Sequence, residues 1–215
     1  MGEIKPPRLK TRGRVLDAVA PLYDIVNFRI DRGIADRALK YLDIPSGLRI
    51  LDVGCGTGSV TLAIADKLSS SGSAVGIDAS PRMVKIASEK ASGRSNIRFE
   101  CALAECLPFE SASFDIAVNT MFLHHMPYDL KIASLKEMKR VLKDGGILFT
   151  VDFNIPRNIA AKAFGYISYV VLFQKEIKEN MTYGLEALIK TAGFSDIAER
   201  GNQFGLVSYV TAKNR

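Results

Sequence analysis

The chain has 215 residues, 47% apolar and 24% charged, which is globular composition and enough length for one domain with a sizeable core. Lys and Arg number 29 against 23 Asp and Glu, and much of the +6 excess sits in the opening stretch MGEIKPPRLKTRGR, where Lys5, Arg8, Lys10, Arg12 and Arg14 face only Glu3. The near-neutral remainder weighs against nucleic acid, no apolar run approaches the ~18 residues of a membrane span, and Cys55, Cys101 and Cys106 lack metal spacing and suggest a reducing cytoplasm rather than a disulfide framework.

The basic arm reads first as a solvated tail and second as a contact for anionic lipid or nucleic acid. It lacks the apolar segment of a secretory signal. The stretch after it reads as two helical pieces, with Ile30, Ile34, Ala38 and Leu42 at near-helical spacing, stopped by Pro45 and Gly47. LRILDVG is an apolar run of strand length. SVTLAIADKLSS carries a helical stripe at Val60, Ile64 and Leu68, broken by Gly72. AVGIDA is a second buried strand. SPRMVKIASEKA opens as a helix, with Ser80 suited to the N-cap and Pro81 to the first helical position. NIRFECA and FDIAVNT are a third and a fourth strand. DLKIASLKEMKRVL is a helix with Ile132, Leu135, Met138 and Leu142 on one face, and Asp144-Gly145-Gly146 is a turn into a fifth strand, GILFTVDF. Strands alternating with helices imply a parallel sheet covered on both faces. The tail differs: an apolar, aromatic run NIAAKAFGYISYVVLFQKEI, a helix MTYGLEALIKTAGF closed by Gly193, and a final hairpin in DIAERGNQFGLVSYVTAKN.

The first strand ends in Gly54-Cys55-Gly56-Thr57-Gly58. A glycine loop between a strand and a helix N-terminus presents backbone N–H groups beside a positive helix end, which favours a carboxylate or phosphate. The spacing is not G-x-G-x-x-G, and no Gly-Lys-Ser/Thr follows, so a phosphate-binding P-loop is excluded. Asp52 precedes the loop. Asp78 ends the second strand, where a carboxylate can take both hydroxyls of a ribose.

Together LDVGCGTG, GIDAS, AECLPF, FDIAV and LKEMKRVLKDGGIL resemble the class I S-adenosylmethionine-dependent methyltransferases, over about Tyr23 to Phe153. The resemblance implies an α/β, Rossmann-like fold: a seven-stranded, mostly parallel sheet of order 3-2-1-4-5-7-6, strand 7 antiparallel, with helices on both faces. It implies S-adenosyl-L-methionine as cofactor and S-adenosyl-L-homocysteine as product. Gly54, Cys55, Gly56 and Gly58 would cup the methionine part, Asp52 would orient the loop or meet the amino group, and Asp78 would hold the ribose. Ala79 and Met83 would pack on the adenine. Leu103 stands where relatives often carry an acidic or amide residue, which leaves adenine recognition to backbone near Ala104 and Glu105, with helix capping the alternative for the Glu105 side chain. Asn119, at the end of the fourth strand, joins the cofactor set.

VAPLYDIVN, AECLPF and KEMKRVLKDGGILFTVDFNIP are most similar to the ubiquinone/menaquinone C-methyltransferases, which methylate a ring carbon of a polyprenylated quinol. Tyr23 would lie over the cofactor and close the acceptor pocket. This chain departs from that family at MFLHHMP, where His124 and His125 replace an Arg-Asn pair. A quinol carbon becomes nucleophilic when its hydroxyl loses a proton, and histidine suits that step. His124 and His125 lie where open α/β sheets bind ligands, so they are the catalytic candidates, with packing or helix capping as the plain alternative. Phe164 and Tyr169, in the apolar tail, join Tyr23 and His124 as acceptor-pocket residues. That tail reads either as core or as an apolar lid, and Lys162 and Lys175 flank it for contact with a membrane surface.

The expected organisation is a basic arm and capping helices over 1–45, the cofactor-binding core over 46–153, lid helices over 154–192, and closing antiparallel strands over 193–215. The expected acceptor is a lipid or quinol. A phospholipid amine, a soluble metabolite, or cofactor binding without catalysis are the competing readings. No metal and no nucleic acid are expected. The protein is expected in the cytoplasm or at the inner face of the membrane, as a monomer or homodimer.

Overall fold

A computed structural model describes residues 33, 36–42, 44–171 and 175–215, apart from the side chains of 168–171 and 175. Tyr23, Ile30, Ile34 and the basic arm lie outside the described residues, and so do the side chains of Tyr169 and Lys175.

Seven strands form one sheet of order β3-β2-β1-β4-β5-β7-β6. They are β1 Arg49–Val53, β2 Ser73–Asp78, β3 Ile97–Cys101, β4 Phe114–Thr120, β5 Leu142–Phe153, β6 Ser195–Gln203 and β7 Val207–Lys213. The first five pair in parallel, and β7 runs antiparallel to both β5 and β6. The central strands are continuous apolar runs because helices cover them on both faces. The helices are α1 Ser59–Ala65, α2 Pro81–Lys90, α3 Tyr128–Val141, α4 Ile159–Val171, α5 Lys175–Tyr183 and α6 Leu185–Thr191, and a 3-10 turn spans Leu123–His125. One core layer packs α3 and α6 on the sheet through Leu135, Met138, Leu188 and Ile189. The other holds Ala38, Leu42, Val60 and Ile64 against Ile50, Ile116 and Tyr209.

The expected fold and strand order are observed, and so is the Ser80 cap, whose hydroxyl accepts from the Met83 N–H at 3.2 Å. Four local readings change. The helix after the glycine loop closes at Ala65, before Leu68. Asp144-Gly145-Gly146 is not a turn ahead of the strand. β5 already begins at Leu142, and its register against β4 jumps from Phe114↔Leu142 to Ile116↔Ile147. Gly145 sits there at φ +73°, its N–H donating to the Asn214 carbonyl at 2.7 Å, so the glycines form an irregularity inside the strand. The last predicted helix is two helices, broken at Gly184, which adopts φ 78° and ψ 152°. Leu135 and Met138 face the core from α3 as expected, but their stripe is completed by Lys131, Ser134 and Val141, while Ile132 is only partly buried and Leu142 belongs to β5.

Candidate functional site

The site lies at the carboxyl ends of the parallel strands, where the chain leaves β1, β2, β4 and β5. After Val53 it turns through Gly54, at φ +76°, where a Cβ would stand 2.2 Å from the Phe122 ring, so only glycine fits. Gly56, at φ +54°, has no heavy atom within 4 Å of where a Cβ would be, leaving open volume above the loop.

The loop does not present the anion cradle that its glycines suggest. The N–H groups of Gly54 and Cys55 both donate to the Ile77 carbonyl at 2.9 Å, and that of Gly58 donates to Cys55. The Gly56 N–H donates to Asp78 Oδ2 at 3.0 Å, and the Ser80 N–H to Oδ1 at 2.9 Å. With those donors turned inward, the site takes its polarity from two carboxylates. Asp52 is buried. Its Oδ2 accepts from the Thr61 hydroxyl at 2.6 Å, while its buried Oδ1 has no hydrogen-bond partner among the described residues. Burial pushes the Asp52 carboxyl up to about 7 against the lowering effect of the Thr61 hydroxyl, and the Asp78 charge adds to the rise. Burial, then Asp52 and Asp78, push the Cys55 thiol well up, which makes it an uncharged wall.

Met83 is buried in α2, and Ala79 is half-buried just after β2. Ala104 and Glu105 form a tight turn closed by the Leu103–Cys106 bridge. No helix begins there, so Glu105 caps none, and its buried Oε2 lacks a hydrogen-bond partner among the described residues. Asn119 is fully buried. Its amide nitrogen donates to the Thr150 hydroxyl at 2.9 Å and contacts the Met138 sulfur, while its Oδ1 is without a partner among the described residues.

A second polar centre stands where β4 and β5 end. His124 is only 4% exposed, and its Nδ1 lies 2.7 Å from Oδ1 of the fully buried Asp152. The Asp152 carboxylate also accepts the N–H of Phe122 at 3.0 Å, of His124 at 3.3 Å and of Phe153 at 2.7 Å, with the Asn180 amide at 3.4 Å. Burial alone would raise the Asp152 pKa, but the charge and hydrogen bond of His124, then the Phe153 N–H, hold it below the ordinary carboxylate range. The half-buried His125 ring lies 4.0 Å from that of His124, and Phe153 meets His124 edge-on at 4.9 Å. Lys131, fully buried, donates to the Glu176 carbonyl at 2.9 Å and to Glu179 at 2.7 Å, tying α3 to α5.

Beyond Phe153 an open groove of about 620 Å³ runs between α4 and α5, lined by Ile155, Ile159, Ala163, Tyr166 and Met181, most of them solvent-exposed, with Lys162 and Lys178 at hand. Met181 and Phe153 belong to one apolar cluster, which joins the groove to the histidine centre. Phe164 is 61% exposed and off this lining, whereas Tyr166, two residues on and 62% exposed, is part of it. Asp152, Asn180 and Lys131 escaped the sequence reading. A lone aspartate near the end of the apolar strand GILFTVDF was the one available sign.

The strand order, the antiparallel last pairing and the loop after β1 make this the class I methyltransferase architecture. A methyltransferase-domain family model matches residues 50–146. A demethylmenaquinone methyltransferase of Staphylococcus aureus is 35% identical over 147 residues, 66% of this chain and 60% of that protein, so the chain spans about three-fifths of that relative. The ubiquinone/menaquinone biosynthesis C-methyltransferase UbiE of Geobacter sulfurreducens is 31% identical over 221 aligned positions, covering 91% of this chain and 85% of that protein. A SAM-dependent methyltransferase from Aquifex aeolicus superposes with a TM-score of 0.67 at 19% identity, over 93% of this chain and 98% of that one. The chain belongs to the ubiquinone/menaquinone C-methyltransferase family of S-adenosylmethionine-dependent methyltransferases.

Membership implies S-adenosylmethionine, and the chemistry here fits it. Two neighbouring carboxylates, one with a buried acceptor oxygen still to be met, favour a ligand carrying ammonium and sulfonium charge and disfavour a pyrophosphate.

Proposed function

We propose that the protein transfers the methyl group of S-adenosylmethionine to a ring carbon of a hydrophobic quinol. One observation carries this reading: a doubly acidic loop and a buried His–Asp pair lie at the carboxyl ends of neighbouring strands, with an apolar groove linked to the pair through Met181 and Phe153. When bound, the cofactor supplies an electrophilic methyl on a sulfonium. Asp52 Oδ1 meets its ammonium, Asp78 its ribose hydroxyls, and Ala79 and Met83 its adenine, whose amino group reaches the backbone at Ala104 or the Glu105 Oε2. Gly54, Cys55, Gly56 and Gly58 shape the loop, and Asn119, whose buried Oδ1 is unpartnered among the described residues, joins the cofactor set.

Because the methyl is already reactive, the chain's main tasks are to place the acceptor in line and to exclude water. His124 takes the acceptor's hydroxyl proton. With the cofactor bound, its methyl would pass to the ring carbon; the ring proton would then go to solvent as aromaticity returns, and His124 would give its proton back to the ring oxygen. The groove holds the acceptor's apolar tail, and Lys162 and Lys178 near it suit an anionic membrane surface.

The test is incubation with labelled cofactor and, separately, a prenylated quinol in vesicles, a phospholipid amine and soluble phenols, with products fragmented by mass spectrometry. A C-methylated quinol is expected. Methylation of an amine alone, or cofactor binding with no product from any acceptor class, would refute the reading.

A further inference from the structure

We infer that Asp152 is the positioning residue of the reaction: it holds His124 as the tautomer protonated at Nδ1, leaving Nε2 as the base. This rests on the reading of His124 as the group that takes the acceptor's proton.

The argument begins with the inventory of donors. Five groups point at the two Asp152 oxygens: the N–H of Phe122, His124 and Phe153, the Asn180 amide and the His124 ring. A protonated carboxyl would have to turn a donor of its own into that crowd, so Asp152 is ionised and accepts only. The ring nitrogen 2.7 Å away must then carry the proton, because two acceptors cannot face each other at that distance. A neutral imidazole has one proton, so Nε2 keeps its lone pair. Taking a second proton there makes a cation already paired with a buried anion.

The three elements around the pair each contribute. β5 supplies Asp152. The turn after β4 supplies both histidines, and the Phe122 and His124 N–H bonds lock that turn to the same carboxylate. Helix α5 supplies Asn180. Among the described residues, the charged and titratable groups about Asp152 are His124 and His125 from the turn and Lys131 from α3, and Lys131 is in turn held by Glu179 of α5. Asp152 therefore senses both the acceptor-proton step and the seating of the lid helix that borders the groove.

A test that does not need the acceptor is nitrogen-15 NMR of the histidine rings in the intact wild-type protein. The chain has only two histidines, and His125→Asn assigns them. The expected spectrum for His124 at neutral pH shows a protonated Nδ1 and a bare Nε2. A proton on Nε2, or an even mixture of tautomers, would overturn the inference whatever the substrate is. The second arm is Asp152→Asn, whose amide can donate to Nδ1 and move the proton to Nε2. It should lower kcat about a hundredfold or more with the acceptor KM and cofactor affinity kept. A folded Asp152→Asn protein with near-normal kcat would refute the positioning role. Should that variant not fold, the wild-type spectrum still decides. Absence of turnover by the wild type on every acceptor, with the expected tautomer present, would instead strike the functional reading alone.

Discussion

Thr61 Oγ1 donates to Asp52 Oδ2 at 2.6 Å, while the other oxygen of the same buried carboxylate has no hydrogen-bond partner among the described residues. Half of Asp52 is thus built into the fold and half is left for a ligand. Its pKa, pushed up to about 7, gives this a measurable consequence. Because the folded-state value lies above the unfolded one, the stability Asp52 contributes without ligand is full in acid and is lost as pH rises through about 7. A cationic ligand prefers the ionised form, so below about 7 binding must expel a proton. Affinity for S-adenosylhomocysteine should fall as pH drops below that value, and calorimetry in buffers of different ionisation enthalpy should record proton release. Asp52→Asn should abolish that release and make the ligand-free protein more heat-stable above neutrality.

Asp78 accepts from Gly56 and Ser80 and, in the proposed complex, from the ribose. Asp78→Ala should weaken cofactor binding by roughly 1.5–3 kcal/mol, read by isothermal titration. Unchanged affinity would remove the ribose assignment.

Gly54→Ala asks a non-glycine residue to adopt φ +76° and drives a Cβ into the Phe122 ring. The backbone term alone is about 1–2 kcal/mol. Chemical denaturation should show at least that loss, and cofactor affinity should fall with it, because displacing Phe122 disturbs both the loop and the Asp152 turn.

Lys131 occupies a fully buried position on α3, and burial brings its pKa down despite Glu179. Lys131→Ala should cost about 3 kcal/mol or more by breaking the tie to Glu179 and the Glu176 carbonyl and opening a void. Lys131→Met, which keeps the volume, should recover part of it. Equal loss in both variants would mean the charge rather than the packing matters.

Ala163→Trp fills the groove between α4 and α5 without touching the polar centres. The KM for a long-tailed quinol should rise several-fold while cofactor affinity holds. A parallel change for short soluble phenols would argue against tail binding there.

Much of this protein could be read along the chain. Apolar runs of strand length alternate with helical stripes, and local steric rules turn that alternation into a parallel sheet with a right-handed connection between strands. The Gly54–Gly58 loop, Asp52 and Asp78 were legible because each is adjacent in sequence to the strand that places it. The same proximity explains the Ser80 cap and the final hairpin.

What lay beyond a linear reading depends on distance across the sheet. Asp152 and His124 are 28 residues apart and meet only because β4 and β5 are neighbours. Lys131 looks like a surface lysine on α3 until α5, 48 residues from it at Glu179, covers it. The glycine loop looks like an anion cradle until β2 turns its N–H groups toward Ile77 and Asp78. By itself the sequence determined the fold and the place of Asp52, the glycine loop and Asp78 at the strand ends, because short-range patterning dictates both. Only the tertiary structure decided the charge the site presents and the partner of its histidine, because buried polar groups take their character from neighbours that the chain brings to them from far away.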